Sequence, residues 1–316
     1  YDFDFNAVTA RKNAVVEQLR GGVEGLLGHK NITLVRGKAS FKDAHTVVVT
    51  PVTSSEGETS EYTADFIIIA TGSVSASLPI PGADLPGILT SKEILDIQEV
   101  PKRLCVIGGG VIGLEFASIF KSFGCEVTVL EYFKDILPRF DSDLSKRLKQ
   151  SLGKRGIEIC TQAQVTGIQI LRCAQDDNKD TQDDNKDAQD DNKDGQVYSV
   201  SYTRKGKEEV VEADKVLMAV GRKANVASLN LADVGIEFTP RGIVVDDKTM
   251  QTNIPHIYAV GDINGKMMLA HAATFQGIVA LDHIMGVENG IDLSVMPAAV
   301  FTSPEAASVG MTEEDC

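Results

Sequence analysis

The 316-residue sequence lacks any apolar run close to the roughly 20 residues that a membrane-spanning helix needs. Its longest apolar runs, such as residues 66–70, are only as long as a strand. Residues 1–12 also lack the basic segment and the following apolar segment that are typical of a signal peptide. We therefore expect a cytoplasmic protein that has no membrane partner.

Basic residues are also scarce, because 31 Lys and Arg stand against 45 Asp and Glu and the net charge is −14. General nucleic-acid binders need a basic surface that meets the phosphates, so we expect no nucleic-acid partner. The acidity itself indicates no function, because residues 174–194 alone, with nine Asp and three Lys, contribute −6. With 43% hydrophobic and 24% charged residues, the composition is that of a soluble globular protein of about two domains.

Paired cysteines are absent from the sequence. The five cysteines are scattered and form neither C-x-x-C nor C-x-x-x-x-C; they are Cys105, Cys125, Cys160, Cys173 and Cys316. This spacing predicts no metal site and no redox pair among these residues, and it fits a reducing compartment.

Apolar periodicity predicts a helix and then a small sheet in the first part of the chain. Helical spacing covers residues 6–28, although Gly21 and Gly22 weaken the middle of this helix. The β-like runs that follow cover residues 32–41, 45–50 and 62–72.

From residue 103 to residue 131 the pattern is a strand, a glycine turn, a helix and a second strand. This order predicts a βαβ unit, which implies a parallel sheet. Further elements are expected as a helix over 143–155, a strand over 156–163 and hairpin strands at 164–171 and 197–202.

Between the two hairpin strands, residues 174–194 contain three near-exact copies of a seven-residue unit ending in QDDNKD. No position of the unit is consistently apolar, which argues against a coiled coil. The copies also lack the glycine and the terminal glutamate of an EF-hand loop, which argues against a calcium site. We therefore predict a solvated, disordered insertion that binds no metal.

Gly108, Gly110 and Gly113 form a G-x-G-x-x-G motif between an apolar strand and a helix. In this context the glycines form a tight turn, and the first amides of the helix can face a pyrophosphate. Glu131 ends the next strand, about 20 residues downstream, where this fingerprint places the acid that binds a ribose 2′-hydroxyl. A carboxylate there repels a 2′-phosphate, and no Arg directly follows it, so the sequence predicts NAD rather than NADP.

Three other apolar strands run into turns of small residues, at 67–73, 216–225 and 257–262. Such turns let a ligand or another part of the backbone approach a strand closely. The last strand is expected to end at Gly261 and to present Asp262 just beyond it, where a carboxylate can meet a ligand hydroxyl. An Asp after a strand is also a common turn former, so both interpretations stay open.

Taken together, these segments resemble the FAD- and NAD-dependent pyridine nucleotide-disulfide oxidoreductases in their order and spacing. The resemblance covers nearly the whole chain apart from the QDDNKD repeat, and its segments are 67–73, 108–115, 127–131, 136–141, 220–225, 258–272 and 301–310. Within the family, GGGVIGLE, VTVLE, ILPRFD and GDINGKMMLAHAA are most similar to the dihydrolipoyl dehydrogenase branch.

The resemblance implies an α/β flavoprotein with two Rossmann-like dinucleotide-binding domains, the FAD domain being incomplete. The residues that it implies for NAD are Gly108, Gly109, Gly110, Val111, Ile112, Gly113, Leu114, Glu115, Glu131, Val165 and Gly221. Those that it implies for FAD are Ala39, Thr71, Gly72, Ser73, Asp262, Met268, Leu269, Ala270 and His271. Asp262 is expected at the ribityl chain, residues 269–271 near the pyrimidine side of the flavin, and Glu115 beside the isoalloxazine, where the family pairs it with a lysine.

Several family features do not occur in the sequence. They are the first FAD glycine motif, the C-x-x-x-x-C redox pair, the lysine and the His-Pro catalytic base. We therefore expect an internal piece or a truncated copy, without catalytic residues of its own and inactive by itself. The expected domains are 1–100 as part of the FAD domain, 101–222 as the NAD domain, 223–296 as a return to the FAD domain and 297–316 as the start of a dimerisation domain.

The resemblance implies that the complete protein oxidises a dihydrolipoyl dithiol, passes the electrons through FAD and reduces NAD. The implied partners are the lipoyl-bearing protein of a 2-oxo acid dehydrogenase or glycine cleavage complex, and a second copy in a homodimer. Two alternatives stay open. One is a related flavoenzyme, such as an NADH oxidase or a mercuric reductase, and the other is a non-catalytic NAD-binding remnant.

Overall fold

The computed structural model describes residues 3–52, 59–171, 196–288 and 290–316. The predicted insertion at 174–194 therefore lies outside the described residues. The chain divides into two compact units, each of which combines segments that are distant in sequence. Unit 1 comprises Tyr1–Thr9, Ser75–Gly221 and Ala299–Cys316, and unit 2 comprises Ala10–Val74 and Arg222–Ala298.

The regular structure of the described residues consists of four α-helices, two 3₁₀ helices and many short strands. The α-helices are α1 (Phe5–Leu27), α2 (Val111–Ser122), α3 (Ser142–Lys154) and α4 (Ala270–Ile284), and the 3₁₀ helices cover Glu93–Asp96 and Gly261–Asn264. The strands are β1 (Lys38–Phe41), β2 (Thr46–Thr50), β3 (Ser60–Thr63), β4 (Ile67–Ile69), β5 (Ser73–Ser75), β6 (Ile88–Leu89), β7 (Arg103–Ile107), β8 (Glu126–Glu131), β9 (Ile157–Thr161), β10 (Ala163–Leu171), β11 (Val197–Arg204), β12 (Lys207–Ala213), β13 (Lys215–Met218), β14 (Arg222–Ala224), β15 (Phe238–Thr239), β16 (Gly242–Ile243), β17 (Ile257–Ala259), β18 (Ala298–Val300) and β19 (Ala306–Ser308).

Unit 1 is built around a five-stranded sheet with the order β6-β13-β7-β8-β9, in which all the paired strands are parallel. The central strand β7 is apolar and buried from Leu104 to Ile107, as expected for a parallel strand that is covered on both faces. Helix α2 connects β7 to β8 and buries Leu114 and Ala117 in the same core as Val129. The predicted βαβ unit and parallel sheet are therefore confirmed.

A second sheet of unit 1 is antiparallel and has the order β10-β11-β12. The predicted hairpin is confirmed, because β10 pairs with β11 in a register that sets Ile168 opposite Val200. A register shift between Val165 and Gly167 interrupts this pairing. The third strand, β12, was not predicted from the sequence. Exposed residues alternate with less exposed residues along most of this strand. It begins directly after Gly206, which has a positive φ.

Unit 2 contains the antiparallel sheet β1-β2-β3 and the parallel pair β4-β17. The predicted strand over 32–41 is wrong in its first half, because pairing with β2 begins only at Lys38. The predicted run over 62–72 is also divided between two sheets. The amide of Ala64 still donates to His45 O beside β2, whereas the amide of Ile67 donates to His256 O at the start of β17, so the chain changes partner between them.

The predicted first helix is confirmed as α1, but none of its residues is buried. Leu19 is 67% exposed and Leu26 is 75% exposed. The apolar spacing therefore predicted the helix correctly, but the apolar side chains of α1 are not part of a buried core. Although α1 has 23 residues, no helix in the described part of the chain is both long and apolar enough to cross a bilayer.

Candidate functional site

The glycine turn of unit 1 follows β7, and two of its glycines are required by the packing of the chain itself. Gly108 has a φ of +113°, and a Cβ there would lie 2.3 Å from Ala219 O. A Cβ on Gly113 would lie 2.0 Å from Gly108 O, so only glycine lets α2 begin this close to the turn. Glycine at both positions therefore allows the close backbone contacts among the turn, Ala219 and the start of α2.

Gly110 differs from these two glycines because a Cβ built on it meets no atom within 4 Å. Its φ of −78° and ψ of −176° are extended backbone that any residue can adopt. Gly110 is the N-cap residue of α2, and the first amides of a helix have no intrahelical acceptors. The turn thus leaves a side-chain-free space in front of a helix N-terminus, where an anion is favoured.

Glu131 ends β8 beside this turn, and its side chain is buried with 5% exposure. Its Oε2 accepts a hydrogen bond from the Gly109 amide at 2.5 Å, and its Oε1 accepts one from the Phe133 amide at 2.7 Å. The carboxylate therefore fixes the glycine turn to the end of the neighbouring strand. Tyr132 and Phe133, which follow it, are exposed aromatic side chains with ring centroids 5.4 Å apart.

The ILPRFD segment, residues 136–141, contacts the glycine turn on a different side from Glu131. The sequence did not predict this contact. The Leu137 amide donates a hydrogen bond to Gly109 O at 3.0 Å, and Leu137 has a φ of +51°. Ile136 and Leu137 are almost fully buried in the core that also contains Leu114. A non-glycine residue at positive φ is uncommon, and no spacing rule indicates it from sequence.

The remaining residues predicted for NAD lie in different parts of unit 1. The Oε1 of Glu115, which is half-buried on α2, accepts a hydrogen bond from the Phe301 amide at 2.8 Å. Val165 is buried in β10, beside the interrupted register of the antiparallel sheet. Gly221 has a φ of +115°, and its carbonyl accepts a hydrogen bond from the Ala76 amide at 3.0 Å.

Asp262 of unit 2 lies in a 3₁₀ helix, which corrects the expectation that a strand runs up to Gly261. Strand β17 ends at Ala259, because Gly261 adopts a φ of +76° and turns the chain. Asp262 Oδ2 accepts a hydrogen bond from the Ser73 hydroxyl at 2.5 Å. Ser73 in turn accepts one from Arg222 Nε at 2.7 Å, so a residue that the sequence did not single out joins the predicted pair.

A buried glutamine fixes this turn from α4 and was likewise not predicted. Gln276 is 3% exposed, and its Oε1 accepts hydrogen bonds from the Gly261 amide at 2.7 Å and from Asn264 Nδ2 at 2.8 Å. A cleft of about 460 Å³ lies beside the turn and is lined by Ala70, Gly72, Val260, Gly261, Asp262, Ala273 and Thr274.

The other residues predicted for FAD also lie in unit 2. Met268, Leu269, Ala270 and His271 lead into the N-terminus of α4, whose N-cap residue is Leu269. His271 Nε2 lies within hydrogen-bond distance, 2.8 Å, of Pro297 O. The Thr71 hydroxyl donates to Asn225 O at 3.2 Å, whereas Ala39 is an exposed residue of β1 opposite Val49. Within the described ranges, no three His, Cys, Asp or Glu side chains are grouped so that they could hold a metal ion.

Comparison with known proteins identifies the family. The sequence pattern of the pyridine nucleotide-disulphide oxidoreductases matches residues 3–277. The chain belongs to this family. It is 37% identical to a dihydrolipoyl dehydrogenase of Chlamydia pneumoniae over 316 residues, which are 100% of this chain and 61% of that protein. It is 40% identical to a dihydrolipoyl dehydrogenase of Bacillus subtilis over 311 residues, or 98% of this chain and 60% of that protein.

Solved structures of flavoprotein disulfide reductases and similar proteins have a similar fold. The HOCl-induced flavoprotein disulfide reductase RclA of Escherichia coli matches with a TM-score of 0.80 and 30% identity, over 99% of this chain and 65% of that one. LpdA of Mycobacterium tuberculosis matches with a TM-score of 0.83 and 27% identity, over 99% and 64%. The predicted fold class and the family resemblance are confirmed, and the chain spans about 60% of the length of the curated relatives it matches.

Proposed function

We propose that the protein is a dihydrolipoyl dehydrogenase. It oxidises a dihydrolipoyl dithiol to the disulfide and reduces NAD⁺ to NADH with release of one proton. The observation that carries this proposal is the identity of 37 to 40% with dihydrolipoyl dehydrogenases along essentially the whole chain. The geometry of the two turns fits the two nucleotides that this reaction requires.

The proposed NAD site consists of residues 108–115 and Glu131, with Val165 and Gly221 at its edges. The space in front of Gly110 fits a pyrophosphate, because no side chain fills it and the amides of α2 begin there. Each Glu131 oxygen accepts one backbone N–H and keeps a second lone-pair site for a ribose hydroxyl. The same carboxylate disfavours a 2′-phosphate, so we propose NAD rather than NADP.

The proposed FAD site is the cleft of unit 2, with Thr71, Gly72 and Ser73 on one side and residues 268–271 at the N-terminus of α4. Asp262 would accept hydrogen bonds from the ribityl hydroxyls, and Ala39 would add a contact from β1. When bound, FAD supplies a two-electron carrier between a dithiol and the nicotinamide.

We assign no redox role to Cys105, Cys125 or Cys160. Cys105 and Cys125 are buried, and burial raises the pKa of each thiol to about 12, so neither forms the thiolate that disulfide exchange requires. Burial also raises the pKa of Cys160. The proposed electron path therefore needs a redox disulfide formed by cysteines other than these three.

The proposal extends to the surroundings of the enzyme. We propose a cytoplasmic homodimer that serves the lipoyl-bearing protein of a 2-oxo acid dehydrogenase or glycine cleavage complex. We further propose that residues 101–222 bind NAD, that residues 1–100 and 223–296 contribute to the FAD domain, and that residues 297–316 begin a dimerisation domain.

The test is the reaction itself, performed with added FAD on the complete natural protein in which this chain occurs. We expect NADH to form from dihydrolipoamide and NAD⁺, with NADP⁺ a much poorer acceptor. Parallel assays measure oxygen consumption with NADH and mercuric-ion-dependent oxidation of NADPH. Activity in either of these assays without dithiol oxidation would contradict the proposal in favour of a related flavoenzyme, and NADH binding without flavin binding would favour a non-catalytic protein.

A further inference from the structure

We propose that Arg222 is a positioning residue that orients the carboxylate of Asp262 through the hydroxyl of Ser73, and that it thereby determines how tightly unit 2 binds flavin. This inference rests on the proposed function, because it takes the ligand of the cleft to be FAD. Ser73, Arg222 and Asp262 all lie in unit 2.

The direction of the hydrogen bonds follows from the chemistry of the three groups. A guanidinium has only donors, so Arg222 Nε donates to Ser73 Oγ at 2.7 Å. The hydroxyl has a single proton, and it donates that proton to Asp262 Oδ2 at 2.5 Å. The guanidinium therefore occupies one lone pair of the Ser73 hydroxyl and favours the orientation in which this hydroxyl donates its proton to the carboxylate.

Arg222 also holds the backbone of the residue through which it acts. Its Nη2 donates to Ser73 O at 2.8 Å, so two nitrogens of one guanidinium bind two oxygens of one residue. Such a paired contact fixes orientation as well as distance, which a lysine ammonium cannot reproduce with a single point charge.

The segment that carries Arg222 is itself joined to the turn that carries Ser73. The Asn225 amide donates to Gly72 O at 3.0 Å, and Asn225 Nδ2 donates to Thr71 O at 3.3 Å. Two of the small-residue turns found in the sequence thus form one hydrogen-bonded structure beside the cleft. This connection explains why a residue of the second turn can control the geometry of the first.

The arrangement leaves one oxygen of Asp262 for a ligand. Oδ2 is held by Ser73, with Arg222 Nε 3.8 Å away, whereas Oδ1 makes no hydrogen bond to any described residue. Asp262 lines the cleft, so Oδ1 can accept from a ligand hydroxyl there. The side chains of Arg222 and Asp262 are 31% and 24% exposed, so solvent weakens their direct attraction and orientation is the larger effect.

The experiment measures FAD affinity of the full-length protein by flavin fluorescence, for wild type, Arg222→Met, Arg222→Lys, Ser73→Ala and the double variant Arg222→Met/Ser73→Ala. The matched control is Lys223→Met, which removes the same charge from the exposed neighbouring residue. NADH affinity is measured on each protein as a readout of unit 1. Circular dichroism verifies that each variant is folded.

We expect FAD affinity to fall at least tenfold in Arg222→Met and Ser73→Ala, and to fall less in Arg222→Lys. The double variant should be no weaker than the poorer single variant, because both changes break the same chain of hydrogen bonds. Lys223→Met and all NADH affinities should stay within twofold of wild type. If Arg222→Met does not fold, Arg222→Lys, Ser73→Ala and the double variant Arg222→Lys/Ser73→Ala replace it, and the double variant should again be no weaker than the poorer single variant.

Two results would overturn the inference while leaving the proposed function intact. One is a wild-type protein that binds FAD and an Arg222→Met variant that binds it equally well. The other is a double variant whose loss equals the sum of the two single losses, since Arg222 would then not act through Ser73. A folded wild-type protein that binds no FAD would contradict the proposed function and the inference together.

Discussion

Replacing Glu131 by Gln tests whether the buried carboxylate holds the glycine turn. The two carboxylate oxygens accept hydrogen bonds from the amides of Gly109 and Phe133, and Glu131 is only 5% exposed, so solvent replaces a lost acceptor poorly. A carboxamide has almost the same shape but a single acceptor oxygen. Its NH₂ group must therefore face one of the two backbone N–H groups, which is left without an acceptor.

The expected cost follows from these two hydrogen bonds. A hydrogen bond to a charged group contributes about 1.5–3 kcal/mol, and a buried donor left without a partner costs about 1–3 kcal/mol. We therefore expect Glu131→Gln to lower the free energy of opening the turn by about 3 kcal/mol, with a larger loss for Glu131→Ala, which removes both acceptors. At 1.4 kcal/mol per factor of ten, this corresponds to roughly a hundredfold weaker protection of the amides.

Native-state hydrogen exchange at Gly109 and Phe133 measures this opening directly, and urea unfolding followed by circular dichroism measures its effect on the protein. The matched control is Glu126→Gln, the same chemical change at the exposed first residue of β8. We expect the control to stay within about 0.5 kcal/mol of wild type. If Glu131→Gln also stays within that range, the carboxylate does not stabilise the turn.

Two further predictions concern charge and thiol reactivity in unit 1. Burial opposes ionisation of Asp214, but the hydrogen bonds from the Arg103 side chain and amide outweigh it and hold the pKa of Asp214 below its usual range. Because the pKa of Asp214 is lower in the folded than in the unfolded protein, its stabilisation is complete above about pH 4 and is lost as pH falls through the folded pKa. Urea unfolding should therefore show that Asp214→Asn is less stable than wild type by about 1 kcal/mol at pH 7 and by a smaller amount at low pH. An equal difference at both pH values would contradict the pairing of Asp214 with Arg103. Iodoacetamide should label the exposed Cys316 of the native protein long before the buried Cys105 and Cys125, and peptide mapping measures the three rates. Equal labelling rates would contradict the burial of Cys105 and Cys125.

The geometry of the glycine turn could be predicted from the sequence because the residues that form it are close together in the chain. Gly108, Gly110 and Gly113 lie within six residues, and Glu131 follows after one helix and one strand, so the fingerprint is complete in a short segment. The strand β7 was recognisable for a similar reason, since a parallel strand buried on both faces is apolar along its length.

The residues that the sequence did not reveal act through tertiary contacts. Arg222 forms a hydrogen bond with Ser73, which is 149 residues away in sequence, and Gln276 forms one with Gly261, which is 15 residues away. No periodicity in the sequence predicts either pair. Residues 32–37 were wrongly predicted as a strand because their apolar content is typical of strands. The sequence pattern does not show whether a neighbouring strand is available for pairing, and pairing begins only at Lys38. Helix α1 shows the same limit, since its spacing predicted a helix but not that its apolar face would stay exposed.

The measurement that tests the central claim most directly is NADH affinity of Gly110→Ala, with the free energy of unfolding determined on the same samples. The structure leaves open space around a Cβ at Gly110, whereas a Cβ at Gly113 would lie 2.0 Å from Gly108 O. We expect Gly110→Ala to stay within about 1 kcal/mol of wild-type stability and to bind NADH at least tenfold more weakly, because the methyl group fills the space for the pyrophosphate. Gly113→Ala, in contrast, should lose stability. If Gly110→Ala binds NADH as tightly as wild type, the turn does not bind the dinucleotide and the proposed NAD site is wrong.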